Sequence, residues 1–177
     1  IMECKSALKE TQGDLEEAIT FLRKKGLAKA DKKSDRQTSE GVIGSYIHQG
    51  SKVGVMIELN CETDFVANTP DFQTLVKDIA MHIAAAKPRF ATREEVTEVI
   101  LEKEREIFAH QAKESGKPEN IIEKIVTGKM EKFYEENCVL EQPFIKDTNV
   151  TIGELIKQKI ALLDENINIG QCARFEI

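Results

Sequence analysis

Val53-Gly54-Val55-Met56-Ile57-Glu58-Leu59-Asn60-Cys61-Glu62-Thr63-Asp64-Phe65-Val66-Ala67-Asn68 is the stretch on which the fold turns. Val53, Val55, Ile57 and Leu59 point one way and Gly54, Met56, Glu58 and Asn60 the other, the period-two alternation of a half-buried strand. Residues 41–48 supply its partner, and Gln49-Gly50-Ser51-Lys52 reads as the hairpin turn between them. The alternation stops at Asn60, where a large aromatic sits beside an acid. A helix follows, opened by Thr69 as N-cap with Pro70 in its first turn, and closed before Pro88. Phe72, Leu75, Val76, Ile79, Ile83 and Ala86 form its buried stripe. The unit is ββα.

Toward the N-terminus the period becomes helical. Cys4, Ala7 and Leu8 mark one short helix, and a second follows the break at Gln12-Gly13. Asp14 and Glu17 form a capping box, Leu15, Ala18, Ile19 and Leu22 the apolar stripe, and Gly26 stands where a left-handed C-terminal residue is wanted. Two short helices bury little, so a third helix before Ile1 is expected. From Lys29 to Ser39 the periodicity lapses, which predicts a solvated linker. The organisation read from the chain is a helical module at residues 1–30, a linker at 31–40, and a core domain at 41–177.

Within that core, Thr92 with Glu95 predicts a capping box opening a charged helix, and Ser115-Gly116-Lys117-Pro118 turns it back into a second helix, so a helical hairpin is expected at residues 92–137. Its apolar positions are Val96, Val99, Ile100, the stem of Lys103, Ile107, Ile121, Ile122, Ile125, Met130 and Phe133. That stripe is narrow, so the hairpin should be largely solvated and project from the core. Thr151 and Glu154 cap a last helix carrying Ile152, Leu155, Ile156, Ile160 and Leu163. The chain closes on a strand with Ile167, Ile169, Ala173, Phe175 and Ile177 on one face and Asn168, Cys172, Arg174 and Glu176 on the other. The fold class is α+β with a three-stranded antiparallel sheet.

Composition narrows function. Among 177 residues, 25 basic against 31 acidic side chains leave a net charge of -6, which opposes direct nucleic-acid binding. With 6% aromatic residues and no tryptophan, stacking platforms for bases are not expected. The apolar runs are too short for a membrane span. Four cysteines at 4, 61, 138 and 172 lack zinc-ligand spacing, and Cys4, Cys61 and Cys138 read as buried structural thiols. His48, His82 and His110 form no chelating pair, and Gly41-Val42-Ile43-Gly44 is no phosphate loop, so neither metal nor other cofactor is expected. Glu58, Glu62 and Asp64 cluster at the strand end. A hydrolase using Glu62 or Asp64 is a minor alternative to a non-enzymatic role, because carboxylates in such places more often cap turns.

The stretch Thr63-Asp64-Phe65-Val66-Ala67 after Glu58-Leu59-Asn60-Cys61, together with Met2-Glu3-Cys4-Lys5, Gly13-Asp14, Arg23-Lys24-Lys25-Gly26, Gly44-Ser45-Tyr46-Ile47-His48, Ile79-Ala80-Met81-His82, Gln142-Pro143-Phe144 and Glu165-Asn166-Ile167, resembles the elongation factor Ts family over nearly the whole chain. The resemblance implies a guanine nucleotide exchange factor for elongation factor Tu, acting without covalent chemistry, with residues 1–30 as a ubiquitin-associated-like module. It implies that Thr63, Asp64, Phe65 and Val66 engage the partner near its magnesium and phosphate site, with Phe65 as a wedge. The alternative for Phe65 is plain core. Met2, His48 and Leu163 are implied as secondary partner contacts, with core or turn roles as their alternatives.

The single copy of the core implies the short, homodimeric form of the family. Cys172 on the final strand is a candidate dimer contact, as a thiol or as an intersubunit disulfide. A cytoplasmic bacterial setting is implied, with chloroplast or mitochondrion as the alternative. The competing functional reading is a non-catalytic helical-hairpin interaction scaffold.

Overall fold

β2 (Val53–Cys61) is the middle strand of the main sheet, between β1 (Glu40–Ile47) and β5 (Ile167–Glu176), both antiparallel to it. The computed structural model describes residues 2–114 and 118–177. The described residues fall into two compact units, one of Ile1–Ala84 with Glu154–Ile177 and the other of Ala85–Gly153.

In the first unit the alternation places Val55, Ile57 and Leu59 in the core, with α4 (Pro70–Ala86) contributing Phe72, Leu75, Val76, Ile79 and Ile83. Thr69 Oγ1 accepts from the Phe72 amide at 3.3 Å and so caps that helix as expected. Gly44 marks a close approach, because a Cβ there would overlap Val76 Cγ1. α7 (Ile152–Leu163) adds buried Ile156 and Ile160.

The face assignment expected for the last strand is corrected. Ile167 and Ile169 pair with Cys61 and Leu59, but the register shifts between Leu59 and Ile57, after which Cys172 pairs with Ile57 and Arg174 with Val55. Two residues, Gly170 and Gln171, stand opposite the one residue Glu58, one more than the ladder needs, and wrap its side chain: the Gln171 amide donates to Glu58 Oε2 at 3.2 Å, and a Cβ on Gly170 would strike the same carboxyl. This bulge inverts the alternation. Arg174 therefore reaches the inner side, where its guanidinium donates to the Ala84 carbonyl at 3.1 and 3.2 Å near the end of α4. Phe175 comes to the outer face with Ile43, Ile47 and Met56, all exposed.

α1 (Met2–Glu10) and α2 (Leu15–Asp31) form the N-terminal helical pair, and Asp14 Oδ1 accepts from the Glu17 amide at 2.8 Å. α2 does not end at Gly26, as the sequence suggests, but runs to Asp31. Helical hydrogen bonding overrides the glycine signal. Cys4, expected in the core, is exposed. The segment expected to be a solvated linker is fastened down: Lys33 is only 5% exposed, with its ammonium bonded to the Asp164 carboxylate and carbonyl. Asn166 Nδ2 donates to the carbonyls of Ser34 and Arg36 at 3.1 and 2.8 Å. Polar sequence marked solvent, yet these groups found partners over 100 positions away in the chain.

The second unit is built on α5 (Glu98–Glu114) and α6 (Glu119–Asn137), with a two-stranded sheet of β3 (Pro143–Phe144) and β4 (Asp147–Thr151) that the sequence pattern does not announce. Thr92 and Glu95 do not open α5. Residues Arg93–Glu95 make a single 3-10 turn, and the Glu95 carboxylate accepts from the Ala91 amide at 2.8 Å. Val96 therefore lies outside the helix, and the expected stripe holds in part, at Val96, Ile100, Met130 and Phe133. Val99, Ile107 and Ile121 are exposed, while Ile100, Leu101 and Phe108 pack with Val126 and Tyr134 onto Val96, Met130, Phe133 and Cys138. Arg93 ties the base together, donating to Glu141 at 2.6 Å and to Glu131 at 2.8 Å, with its guanidinium over the Tyr134 ring. The turn expected at Ser115-Gly116-Lys117 lies outside the described residues.

Candidate functional site

Where β2 ends, Cys61 pairs with Ile167 and the backbone ladder stops. Thr63 has extended dihedrals and serves as N-cap of α3 (Asp64–Ala67), its Oγ1 accepting from the Val66 amide at 3.3 Å. One turn of helix cannot persist without neighbours. It is closed behind by Asn68, whose Nδ2 and backbone amide both donate to the Asp64 carbonyl at 2.8 and 3.1 Å, and by Gln73 Nε2, which donates to the Ala67 carbonyl at 2.8 Å. Val66 and Ala67 are buried and plant the turn in the core. Asp64 and Phe65 face outward.

Phe65 is 80% exposed, which removes the core reading of this side chain. A single exposed apolar residue is ordinary on a protein surface, but a Phe held on a capped, anchored turn forgoes about 2–3 kcal/mol of burial in the isolated protein. Val66, expected among the contacts to a partner, has its side chain inside and anchors the turn in the unbound protein.

The acids near the turn are engaged in structure. Glu62 Oε1 accepts from the Asn166 amide at 2.7 Å and lies 3.5 Å from the Arg36 guanidinium. Glu165 returns the gesture: its Oε2 accepts from the amides of Glu62 and Thr63 at 3.1 and 3.0 Å, and its Oε1 from the Thr63 hydroxyl at 2.6 Å. Two carboxylates thus extend the pairing of β2 with β5 beyond the last backbone bond. Cys61 lies beneath them, its Sγ 3.1 Å from the Thr63 carbonyl, and burial first, then the Glu165 charge, pushes its thiol pKa up.

Asp164, just before Glu165, has a left-handed backbone with φ 64. Hydrogen bonds from Lys33 and then Lys29, reinforced by their charges, hold its carboxyl down to about 2. Sequence reasoning assigns Glu165 no role. The signal that points to it is an acid placed next to each of two strand ends that pair with one another.

The remaining candidates are dispersed. Leu163 closes α7, half-buried and two residues before Glu165, so it belongs to the same neighbourhood of the chain. His48 is at the opposite end of the β1–β2 hairpin, about 25 Å away by strand rise. There its Nδ1 lies 3.0 Å from the Tyr46 hydroxyl, and its carbonyl accepts from Ser51. Met2 is 77% exposed at the start of α1. Cys172 is exposed on β5, and none of the four cysteines is in a disulfide. Among the described residues, no helix is long and apolar enough to cross a membrane.

Residues 2–177 match the family model described as Elongation factor TS. Among curated proteins the chain is similar to Elongation factor Ts of Solibacter usitatus, 56% identical over 177 residues, which is 100% of this chain and 84% of the relative. Elongation factor Ts of Fervidobacterium nodosum is 57% identical over 177 residues, again 100% of this chain and 90% of the relative. That of Geobacter sulfurreducens is 55% identical over 175 residues, 99% of this chain and 81% of the relative.

Proposed function

Since the chain belongs to the elongation factor Ts family and is thereby a translation elongation factor, we propose that it promotes GDP release from elongation factor Tu by inserting Asp64 and Phe65 near the magnesium and phosphate site. The observation that carries this reading is the exposed ring of Phe65 on a turn already ordered in the unbound protein. No bond to the substrate nucleotide is made or broken. The ring gains burial in the complex that it lacks in isolation, and Asp64 brings a negative charge toward a site that holds phosphate and magnesium.

Burial of one Phe supplies about 2–3 kcal/mol, which as differential binding corresponds to roughly 30- to 150-fold in nucleotide affinity. By linkage, whatever the factor costs the nucleotide, the nucleotide costs the factor, so GDP or GTP with magnesium displaces it. Thr63 and Val66 act as cap and anchor of the inserting turn. Met2, His48 and Leu163 are secondary contacts to the same partner.

The protein works as a homodimer in the bacterial cytoplasm, with residues 1–30 as a partner-binding module tied to the core through residues 31–40. The exposed Ile43, Ile47, Met56 and Phe175 on the outer sheet face give a second copy an apolar surface beside Cys172.

Stopped-flow release of a fluorescent GDP from elongation factor Tu tests the reading. Acceleration by the protein and its loss in Phe65→Ala are expected. A Phe65→Ala variant as fast as the parent removes the wedge, and no acceleration by the parent leaves the scaffold reading in its place. A single protomer mass in light scattering at assay concentration removes the dimer.

A further inference from the structure

We infer that Glu165 is the positioning residue of the exchange turn: its carboxylate, coming from the segment between α7 and β5, orders the Thr63 cap and thereby the aim of Phe65. This rests on the wedge reading above. Thr63 has one hydroxyl hydrogen, and it is directed to Glu165 Oε1 at 2.6 Å. With the hydrogen committed there, an oxygen lone pair is left facing the Val66 amide, 3.3 Å away. The carboxylate therefore decides the orientation of the cap that opens the turn. Its other oxygen takes the amides of Glu62 and Thr63, two donors that the sheet no longer pairs. Charged acceptors make the stronger class of hydrogen bond, and they act here on backbone immediately before Asp64.

Glu165 is itself held. Asp164 is fixed by Lys33 and Lys29, and the Asn166 amide donates to Glu62. The link is reciprocal, with each strand end contributing a carboxylate to the backbone of the other. A turn ordered in this way loses less conformational freedom when its aromatic ring is inserted, which favours the inserted state over a loose encounter.

The experiment measures GDP release from elongation factor Tu against factor concentration for the parent, Glu165→Ala, Glu165→Gln, Thr63→Val, Phe65→Ala and the double variant Glu165→Ala/Phe65→Ala. Glu165→Ala is expected to lower the plateau rate about tenfold while the half-saturating concentration moves less than about threefold. Glu165→Gln, which retains acceptor oxygen, recovers part of the loss. On the Phe65→Ala background, Glu165→Ala changes the plateau by less than about twofold, because a residue acting through Phe65 has nothing left to aim. Amide exchange at Thr63 and Val66 in the unbound Glu165→Ala protein rises about tenfold or more.

A parental plateau in Glu165→Ala, or losses that multiply in the double variant, overturns the inference. If Glu165→Ala does not fold, Thr63→Val carries the test, since it removes the hydroxyl through which Glu165 reaches the Val66 amide, and a parental plateau there is equally fatal. If Phe65→Ala alone keeps the parental rate, the wedge reading fails, and amide exchange at Thr63 and Val66 separately decides whether Glu165 orders the turn.

Discussion

The two ends of the β1–β2 hairpin present their exposed side chains by different means. At the His48 end, a tight turn is closed by backbone bonds from His48 to Val53 and from Ser51 to His48, and the imidazole has the neighbouring Tyr46 hydroxyl as partner. The bonds that close the turn and hold the imidazole are local in sequence, and the one long-range bond to the turn, from the Ile177 amide to the Lys52 carbonyl at 3.0 Å, does not touch His48. At the Phe65 end, the turn is held by Glu165 and Asn166 from over 100 residues away and by Val66 in the core. A local turn holds a side chain near a place. Long-range staples fix the direction in which it points, as an inserting ring requires.

The largest test of that contrast is Phe65→Ala, which should slow nucleotide release by roughly 30- to 150-fold without lowering the melting temperature, since the ring is exposed. Removing the staple in Glu165→Ala should cost about tenfold in the plateau rate, because the ring is then no longer aimed. Val66→Ala attacks the anchor: a stability loss of about 1–3 kcal/mol is expected, read as a fall in melting temperature of roughly 3–10 °C, accompanied by a reduced plateau rate.

A subtler test is acidification. The Asp164 carboxyl is held at about 2, below its ordinary 3.8, by Lys33 and Lys29. Its contribution to stability is therefore complete above pH 3.8 and disappears as pH falls through about 2. The Asp164→Asn protein should melt below the parent at pH 7, and the difference should close between those two pH values. A gap that persists at pH 2 breaks the argument. The smallest effect belongs to the other end: His48→Ala should alter stability by less than about 0.5 kcal/mol and leave the release plateau unchanged, with only a modest rise in the half-saturating concentration.

The elements set by short-range pattern are legible in the amino-acid order. The hairpin, the Thr69 cap and the stripe of α4 follow from alternation, capping chemistry and helical spacing, each written within a few residues. Phe65 stands out for the same reason, as an aromatic beside an acid where the alternation stops. What the pattern does not carry is phase. Glu95 accepts from Ala91 instead of opening α5, Val99 and Ile107 of the expected stripe are exposed while Leu101 and Phe108 pack, and the bulge at Gly170 and Gln171 exchanges the two faces of β5. The bulge is one residue in extent and exchanges the face of the β5 side chains after it, whereas the late start of α5 leaves Ile100, Met130 and Phe133 in the packed stripe.

The amino-acid order by itself thus determined the α+β class, the three strands of the main sheet and the approximate places of the long helices, and the turn with its exposed-or-buried question. Only the tertiary structure decided that Phe65 is outside while Val66 is inside, that Lys33 is buried against Asp164, and that Glu165 holds Thr63. The physical reason is range. Period and capping depend on neighbours three or four residues away, whereas a polar group buried or paired across the fold takes its partner from wherever packing brings one within hydrogen-bond reach.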